Sequence, residues 1–276
     1  MDRDKKEKEV IGLYYGDIGD SNGPAKVAKN LVAGLEELGH EIRHNSEGDL
    51  NGCLQSWCDR RKYLSLPKET LMGPNLMVLP HEDVGVWRRH THFVTPSDWA
   101  RNSFLMKDRG ISEITKNSII DVWSVGIETD RFRPSLDVSP DFDCLIYFKK
   151  REQEEFQEVL EELKKRNLKV AVMQYGHYKS EDLISACNRT RFTILLTGTE
   201  SQGIGYMEML SMNQPCYVYN TNVREDYGIQ YKADSAPYFN DKCGIKVEDL
   251  DHSKLDDFLS NIDQYTPRSY VLENHT

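Results

Sequence analysis

No stretch of this chain approaches the roughly 18 consecutive apolar residues that a membrane-spanning helix needs. Its opening, M-D-R-D-K-K-E-K-E (1–9), is charged and lacks the apolar core of a secretory signal. A solvated tail on a cytoplasmic protein is the expectation, with peripheral membrane contact left open but not indicated. Basic charge is scarce, with 35 Lys and Arg against 45 Asp and Glu and a formal net charge of −10. A polyanion needs a basic face to neutralise its phosphates, so nucleic acid is not an expected partner. The six cysteines (Cys53, Cys58, Cys144, Cys187, Cys216 and Cys243) form no C-x-x-C pair and no metal-ligand spacing. Reduced thiols are expected, with neither a disulfide framework nor a zinc site. A dinucleotide fingerprint G-x-G-x-x-G is also missing, which argues against a nicotinamide-dependent oxidoreductase. No repeat relates the two halves.

What is present is an alternation of strand-like apolar runs and helical periods. V-I-G-L-Y-Y-G (10–16) is a run of buried-strand type that stops at a glycine. After Pro24, a good first helical residue, Ala28, Leu31, Val32, Leu35 and Leu38 keep the helical period, and E-I-R-H (41–44) follows as a short strand. From 46 to 74 no element is assigned. N-L-M-V-L-P (75–80) and H-F-V-T-P (92–96) are expected strands, followed by a helix over 97–105 with Ser97 as N-cap. I-I-D-V-W-S-V (119–125) closes this half. Charge and proline then dominate, so the domains expected are 1–126, a linker 127–140, and 141–276.

In the last part, strands are expected over 143–148, 169–173, 192–196 and 215–219. Between them fall a helix carrying Phe156, Val159, Leu160 and Leu163 on one face, another over 180–187, and a third beginning near Ile204. The interval from Tyr175 to Phe192 has room for one helix. Strand–helix alternation in both halves predicts an α/β chain of two facing Rossmann-like domains.

The chemistry concentrates in T-E-S-Q-G-I-G-Y-M-E-M-L (199–210), directly after the apolar run F-T-I-L-L. A helix that opens behind glycines presents free N–H groups and a partial positive charge, which suit a phosphate. In an open parallel sheet such a loop lies at the carboxyl ends of the strands, where ligands bind. Glu200 precedes the helix, and Glu208 sits further along it by on the order of 10 Å at 1.5 Å per residue. Each can accept hydrogen bonds from hydroxyls on one side of a diphosphate. A nucleotide sugar has that layout of sugar, diphosphate and ribose.

E-S-Q-G-I-G-Y-M-E (200–208), followed by M-L-S-M-N-Q-P (209–215), resembles the E-x7-E segment of the retaining GT-B-fold glycosyltransferases of family 4. N-G-P-A-K-V-A-K-N-L-V-A-G-L-E-E-L-G-H (22–40) is similar to that family's first loop and helix. V-G-I-E-T-D-R-F-R-P (125–134) is similar to its interdomain segment, and P-R-S-Y-V-L-E-N-H-T (267–276) to the start of its closing helix. The resemblance implies a compact variant of the GT-B fold. It also implies sugar transfer from a nucleotide-diphosphate donor to a glycan or glycolipid hydroxyl, with no metal and no prosthetic group.

By the same resemblance Glu200 faces the donor sugar, Glu208 holds the ribose, and the backbone at Gly203 and Ile204 meets the diphosphate. Lys149 and Arg151, in Y-F-K-K-R (147–151), take the place of the family's diphosphate-binding cations. Two-residue alternation puts both on one face with Tyr147. Gly16, Gly19 and Gly23 stand where the family's glycine-rich loop approaches the diphosphate. His81 occupies the position of a histidine that reaches the donor sugar, with Glu82 beside it to fix the ring or meet the acceptor.

Four further features are weighed. Asp141 and Asp143 form a D-F-D that precedes a strand instead of following one, and is taken as linker charge. Tyr175 and Tyr178 end a strand and can stack on the base. Trp99 and Trp123 are expected in the core. Trp57 and Trp87 fall in irregular stretches where an acceptor sugar can stack on an exposed indole. Two other functions stay open: a non-catalytic nucleotide-sugar-binding module of the same fold, and a nucleotide-sugar epimerase.

Overall fold

The apolar runs at either end of the first half become strands of one parallel sheet. In the computed structural model, which describes residues 8–16, 23–55, 64–76 and 79–276, the chain divides into two units, Met1–Gly126 and Ile127–Thr276. The first contains β1 (Val10–Tyr14), α1 (Gly23–Glu37), β2 (Glu41–His44), β3 (Leu50–Gln55) and β4 (Leu71–Asn75). After these come α2 (Val84–Arg89), β5 (His92–Thr95), α3 (Asp98–Ser103), α4 (Ile111–Thr115) and β6 (Ile119–Val122). The strands run in the order β2-β1-β3-β4-β5-β6, all parallel. The helical period of α1 has its expected use, since Ala28, Leu31, Val32 and Leu35 pack on Ile11, Leu13 and Leu54.

Several details of this unit depart from the expectations. The strand expected at 75–80 lies at Leu71–Asn75, and a 3-10 turn occupies Pro80–Glu82, while Met77 and Val78 lie outside the described residues. β3 falls in the unassigned stretch; it is interior to the sheet, yet L-N-G-C-L-Q has too few apolar residues to announce a buried strand. Trp87 is not an exposed indole. It lies on α2, 6% exposed, stacked on Phe93 with ring centroids 3.7 Å apart, so it fills the core and cannot receive a sugar. Trp123, expected in the core, is 36% exposed just past β6. Ser97 does precede α3, but its hydroxyl makes no capping bond. Trp57, Cys58 and Gly19 lie outside the described residues.

The second unit contains β7 (Cys144–Lys149), α5 (Gln153–Lys165), β8 (Val170–Gln174), α6 (Ser180–Asn188), β9 (Phe192–Thr197) and α7 (Ile204–Ser211). Then follow β10 (Cys216–Asn220), the antiparallel pair β11 (Val223–Asp226) and β12 (Ile229–Lys232), β13 (Gly244–Glu248), α8 (Leu255–Ser260) and α9 (Pro267–Asn274). Its parallel sheet has the order β13-β10-β9-β7-β8. The chain first steps from β7 outward to β8, then returns to lay β9 on the other side of β7. Strand order therefore reverses between β7 and β9, the place where doubly wound sheets open a crevice at their carboxyl ends.

One face of that sheet is covered by α5 and α8, with Ile146, Val159, Leu163, Ile194, Tyr217 and Phe258 in a common core. Residues 127–140 are not a free tether throughout. Phe132 is 1% exposed, and its carbonyl accepts from Ser211 Oγ (2.6 Å) and Arg268 Nη1 (3.0 Å), which docks this stretch against α7 and α9. Leu136, further on, is 99% exposed. Among the described residues no helix is long and apolar enough to cross a membrane.

Candidate active site

The reversal point of the second sheet collects the charged residues singled out by the sequence. Lys149 is the last residue of β7, and Thr197, the last of β9, is its register partner. The chain continues from Thr197 through Gly198, whose N–H donates to the Lys149 carbonyl (2.8 Å), and reaches Glu200. There the Lys149 Nζ and Glu200 Oε1 stand 2.6 Å apart, with side chains only 14% and 12% exposed. The Lys149 ammonium also lies over the Tyr175 ring, 4.0 Å from its centroid, a cation–π contact. Lys149, Glu200 and Tyr175 thus form one cluster.

Glu200 is held in place by more than its lysine. Its backbone N–H donates to the Asp234 carbonyl (2.8 Å), and the Asp234 carboxylate pairs with Lys246 Nζ on β13 (2.7 Å). Asp234 belongs to the segment after the β11–β12 ribbon and carries no motif, so nothing in the sequence pointed to it. Glu208 lies one turn into α7 and is 2% exposed. Neither glutamate stands in bulk water.

α7 opens at Gly203, which caps the helix in the left-handed region (φ 65°, ψ 41°). A side chain there meets the Tyr206 ring, since an added Cβ falls 2.0 Å from a ring carbon. Glycine is the residue for that conformation and that approach. The first N–H groups of α7, from Ile204 on, have no partner within the helix and carry its positive end.

Beside this opening, Tyr147 of β7 and Tyr178 of the loop before α6 join hydroxyls at 2.9 Å. Burial, the neighbouring tyrosine and the Glu200 charge push the Tyr147 phenol well above its ordinary value. Burial, then the charges of Glu208, Tyr175 and Glu200, push Tyr178 up to about 12. Both are neutral donors at physiological pH, and Tyr178 feels the charge of both carboxylates. Two more polar groups here are buried without a hydrogen-bond partner among the described residues, Thr197 Oγ1 and Gln202 Nε2. Such orphans cost about 1–3 kcal/mol each, and a ligand can satisfy them.

Arg151 goes elsewhere. Its side chain, 8% exposed, forms a two-pronged pair with Glu155 of α5 (2.8 and 2.5 Å) and donates to the Tyr219 carbonyl (3.2 Å) and Thr221 Oγ1 (2.8 Å). The expected common face with Tyr147 and Lys149 needs unbroken strand, but Lys150 adopts a left-handed φ of 54°. That residue ends the alternation and turns Arg151 toward α5. The Arg151 guanidinium holds the Glu155 carboxyl below its ordinary range.

The remaining candidates belong to the first unit or to the surface. His81 sits on the 3-10 turn after β4, its Nε2 3.2 Å from Glu82 Oε1, so the neighbour does engage the ring. Gly16 follows β1, and Gly23 is the first residue of α1. Asp141 pairs with Arg189 (2.6 Å), and Asp143 accepts from the Lys169 N–H (2.7 Å), which commits both to structure. Among the described residues no group of three His, Cys, Asp or Glu side chains is arranged to hold a metal ion.

No protein-family model and no curated protein sequence matches this chain. Solved structures do. An alpha-glucosyltransferase bound to UDP and a 13-mer DNA containing an HMU base is 9% identical over 98% of this chain and 96% of that one, with a TM-score of 0.61. A sucrose-phosphate synthase from Thermosynechococcus elongatus is 11% identical over 98% and 95%, at 0.63. A glycosyltransferase involved in avilamycin A biosynthesis is 12% identical over 97% and 93%, at 0.60. The likeness shows the fold: an α/β chain with two parallel Rossmann-like sheets, matching the GT-B type.

Proposed function

We propose that this protein is a glycosyltransferase that moves a sugar from a nucleotide-diphosphate donor to a hydroxyl acceptor. The observation that carries the reading is the cluster at the reversal point of the second sheet. A largely buried lysine paired with Glu200 stands there, followed directly along the chain by a glycine-capped helix start and, one turn in, the buried Glu208. The solved glycosyltransferases of the same fold, some bound to UDP, support the donor class.

In this reading Glu200 orients the donor sugar and Glu208 the ribose, while the N–H groups at Gly203 and Ile204 receive the diphosphate. Tyr175 borders the base. Lys149 releases Glu200 to offset charge growing on the departing diphosphate; preorganised charge of this kind is usually the strongest single contribution to such a rate. The chain's work is then orientation plus charge stabilisation, with no covalent nucleophile required. Retention of configuration without a metal, membership of family 4, and a glycan or glycolipid acceptor follow from the sequence resemblance. The same resemblance gives His81, braced by Glu82, to the donor sugar. The formal charge of −10 disfavours a polyanionic acceptor.

A calorimetric panel of UDP, GDP, ADP and their sugars tests this, coupled to an assay for nucleotide release. The reading expects saturable binding of one base class and release of its diphosphate when an acceptor is supplied. Glu208→Ala should remove the binding. No binding across the panel refutes the reading, and binding without release over a wide acceptor panel favours a non-catalytic module.

A further inference from the structure

The donor diphosphate carries more charge than one lysine neutralises, and Arg151 is committed to Glu155. The Tyr147–Tyr178 pair stands against the first turn of α7. Their rings meet edge to face, with centroids 6.0 Å apart. Gly205 makes room for the hydroxyls, since a Cβ added there would lie 2.9 Å from the Tyr147 oxygen and 3.3 Å from that of Tyr178. The absence of a side chain at 205 is thus what lets two phenols reach the helix start.

Two phenols carry two protons, and their mutual bond uses one. Among the described residues it is the only hydrogen bond either hydroxyl makes. Tyr147 is 3% exposed and the Tyr178 oxygen is the one acceptor its hydroxyl reaches among the described residues, whereas Tyr178 is half-buried. Tyr147 therefore donates to Tyr178, and the Tyr178 proton is left for a ligand at the mouth of α7.

We propose that Tyr178, oriented by Tyr147 across the gap that Gly205 leaves, donates a hydrogen bond to a diphosphate oxygen of the bound nucleotide and replaces the second cation that Arg151 does not supply. The proposal rests on the donor-site reading above. Tyr178 touches the ligand, and Tyr147 is a positioning residue that acts through it.

The test titrates the whole chain with UDP, GDP and ADP, takes the tightest, and repeats the titration with inorganic pyrophosphate. Tyr178→Phe keeps the ring and removes one oxygen, so its melting temperature without ligand should stay near the original. A hydrogen bond to a charged group is worth enough to predict at least a tenfold loss of diphosphate affinity in Tyr178→Phe. Pyrophosphate, which has no base or ribose, should show the same loss. Tyr147→Phe frees the Tyr178 hydroxyl to rotate and should cost less, about threefold, and this effect should largely vanish when Tyr178→Phe is already in place. If the original chain binds a nucleoside diphosphate and Tyr178→Phe binds it within twofold, this proposal is overturned while the donor site stands. A loss confined to the nucleotide and absent with pyrophosphate overturns it as well. If the original chain binds no nucleoside diphosphate and no pyrophosphate, the donor-site reading itself fails and takes this one with it.

Discussion

Removing Glu200 should strand the Lys149 charge in a largely buried position. At 2.6 Å and an effective dielectric near 20, the pair gains about 6 kcal/mol of Coulomb energy, most of it offset by the desolvation of both ions. Deleting one partner of a buried pair costs about 3–5 kcal/mol. With side chains 14% and 12% exposed, the low end applies, about 3 kcal/mol for Glu200→Ala and for Lys149→Met alike. For a unit of this size that lowers the melting temperature by about 6–12 °C, readable by scanning calorimetry. Lys149→Met with Glu200→Ala together should cost no more than either alone, because neither charge is then left unpaired. The cycle should therefore give a coupling of at least about 3 kcal/mol. Additive losses within about 0.5 kcal/mol would show that the two charges do not sense each other, and the reasoning would be refuted.

Other outcomes follow from the same geometry. Arg151→Met breaks a buried fork and leaves the Tyr219 carbonyl and Thr221 hydroxyl short of a donor, so stability should fall by about 3 kcal/mol with diphosphate affinity unchanged; a selective loss of affinity would restore Arg151 to the ligand. Glu162 is held down to about 2, first by Arg166 and then by Lys165, so its contribution is complete above its ordinary range and disappears as pH falls toward 2. Urea melts from pH 5 to 2 should show a shallower acid loss in Glu162→Gln, and an unchanged slope would contradict the pairing. Gly203→Ala places a Cβ at positive φ and against the Tyr206 ring, which predicts a loss of at least about 2 kcal/mol, measured by chemical denaturation; a neutral result would mean the cap conformation is wrong.

Much of the second unit was legible because its signals are local. The runs that became β7, β9 and β10 are mostly apolar, and α5 keeps one face of Phe156, Val159, Leu160 and Leu163. The ribbon β11–β12 escaped notice because its turn, Tyr227–Gly228, lacks the Asn-Gly or Asp-Gly that marks a tight hairpin, although both residues adopt positive φ as such a turn requires. β3 escaped for the opposite reason, since its burial comes from neighbouring strands and not from its own composition. In the site, Glu200, Glu208, Lys149 and Gly203 are visible in the sequence as a strand end, a glycine break and a helix start. Asp234, which braces Glu200, and the Tyr147–Tyr178 bond, between residues 31 positions apart, are not.

By itself, then, the chain's pattern of apolar runs and glycine breaks determined the α/β alternation, the helix opening at 203–204, and the two carboxylates that flank it. Tertiary structure alone decided which charges meet. One left-handed residue at 150 sends Arg151 to Glu155 and leaves Lys149 with Glu200, and a missing side chain at 205 admits two phenols to the helix start. Periodicity reports which face a residue takes within its own element, whereas ion pairs and close approaches depend on how separate elements are laid side by side.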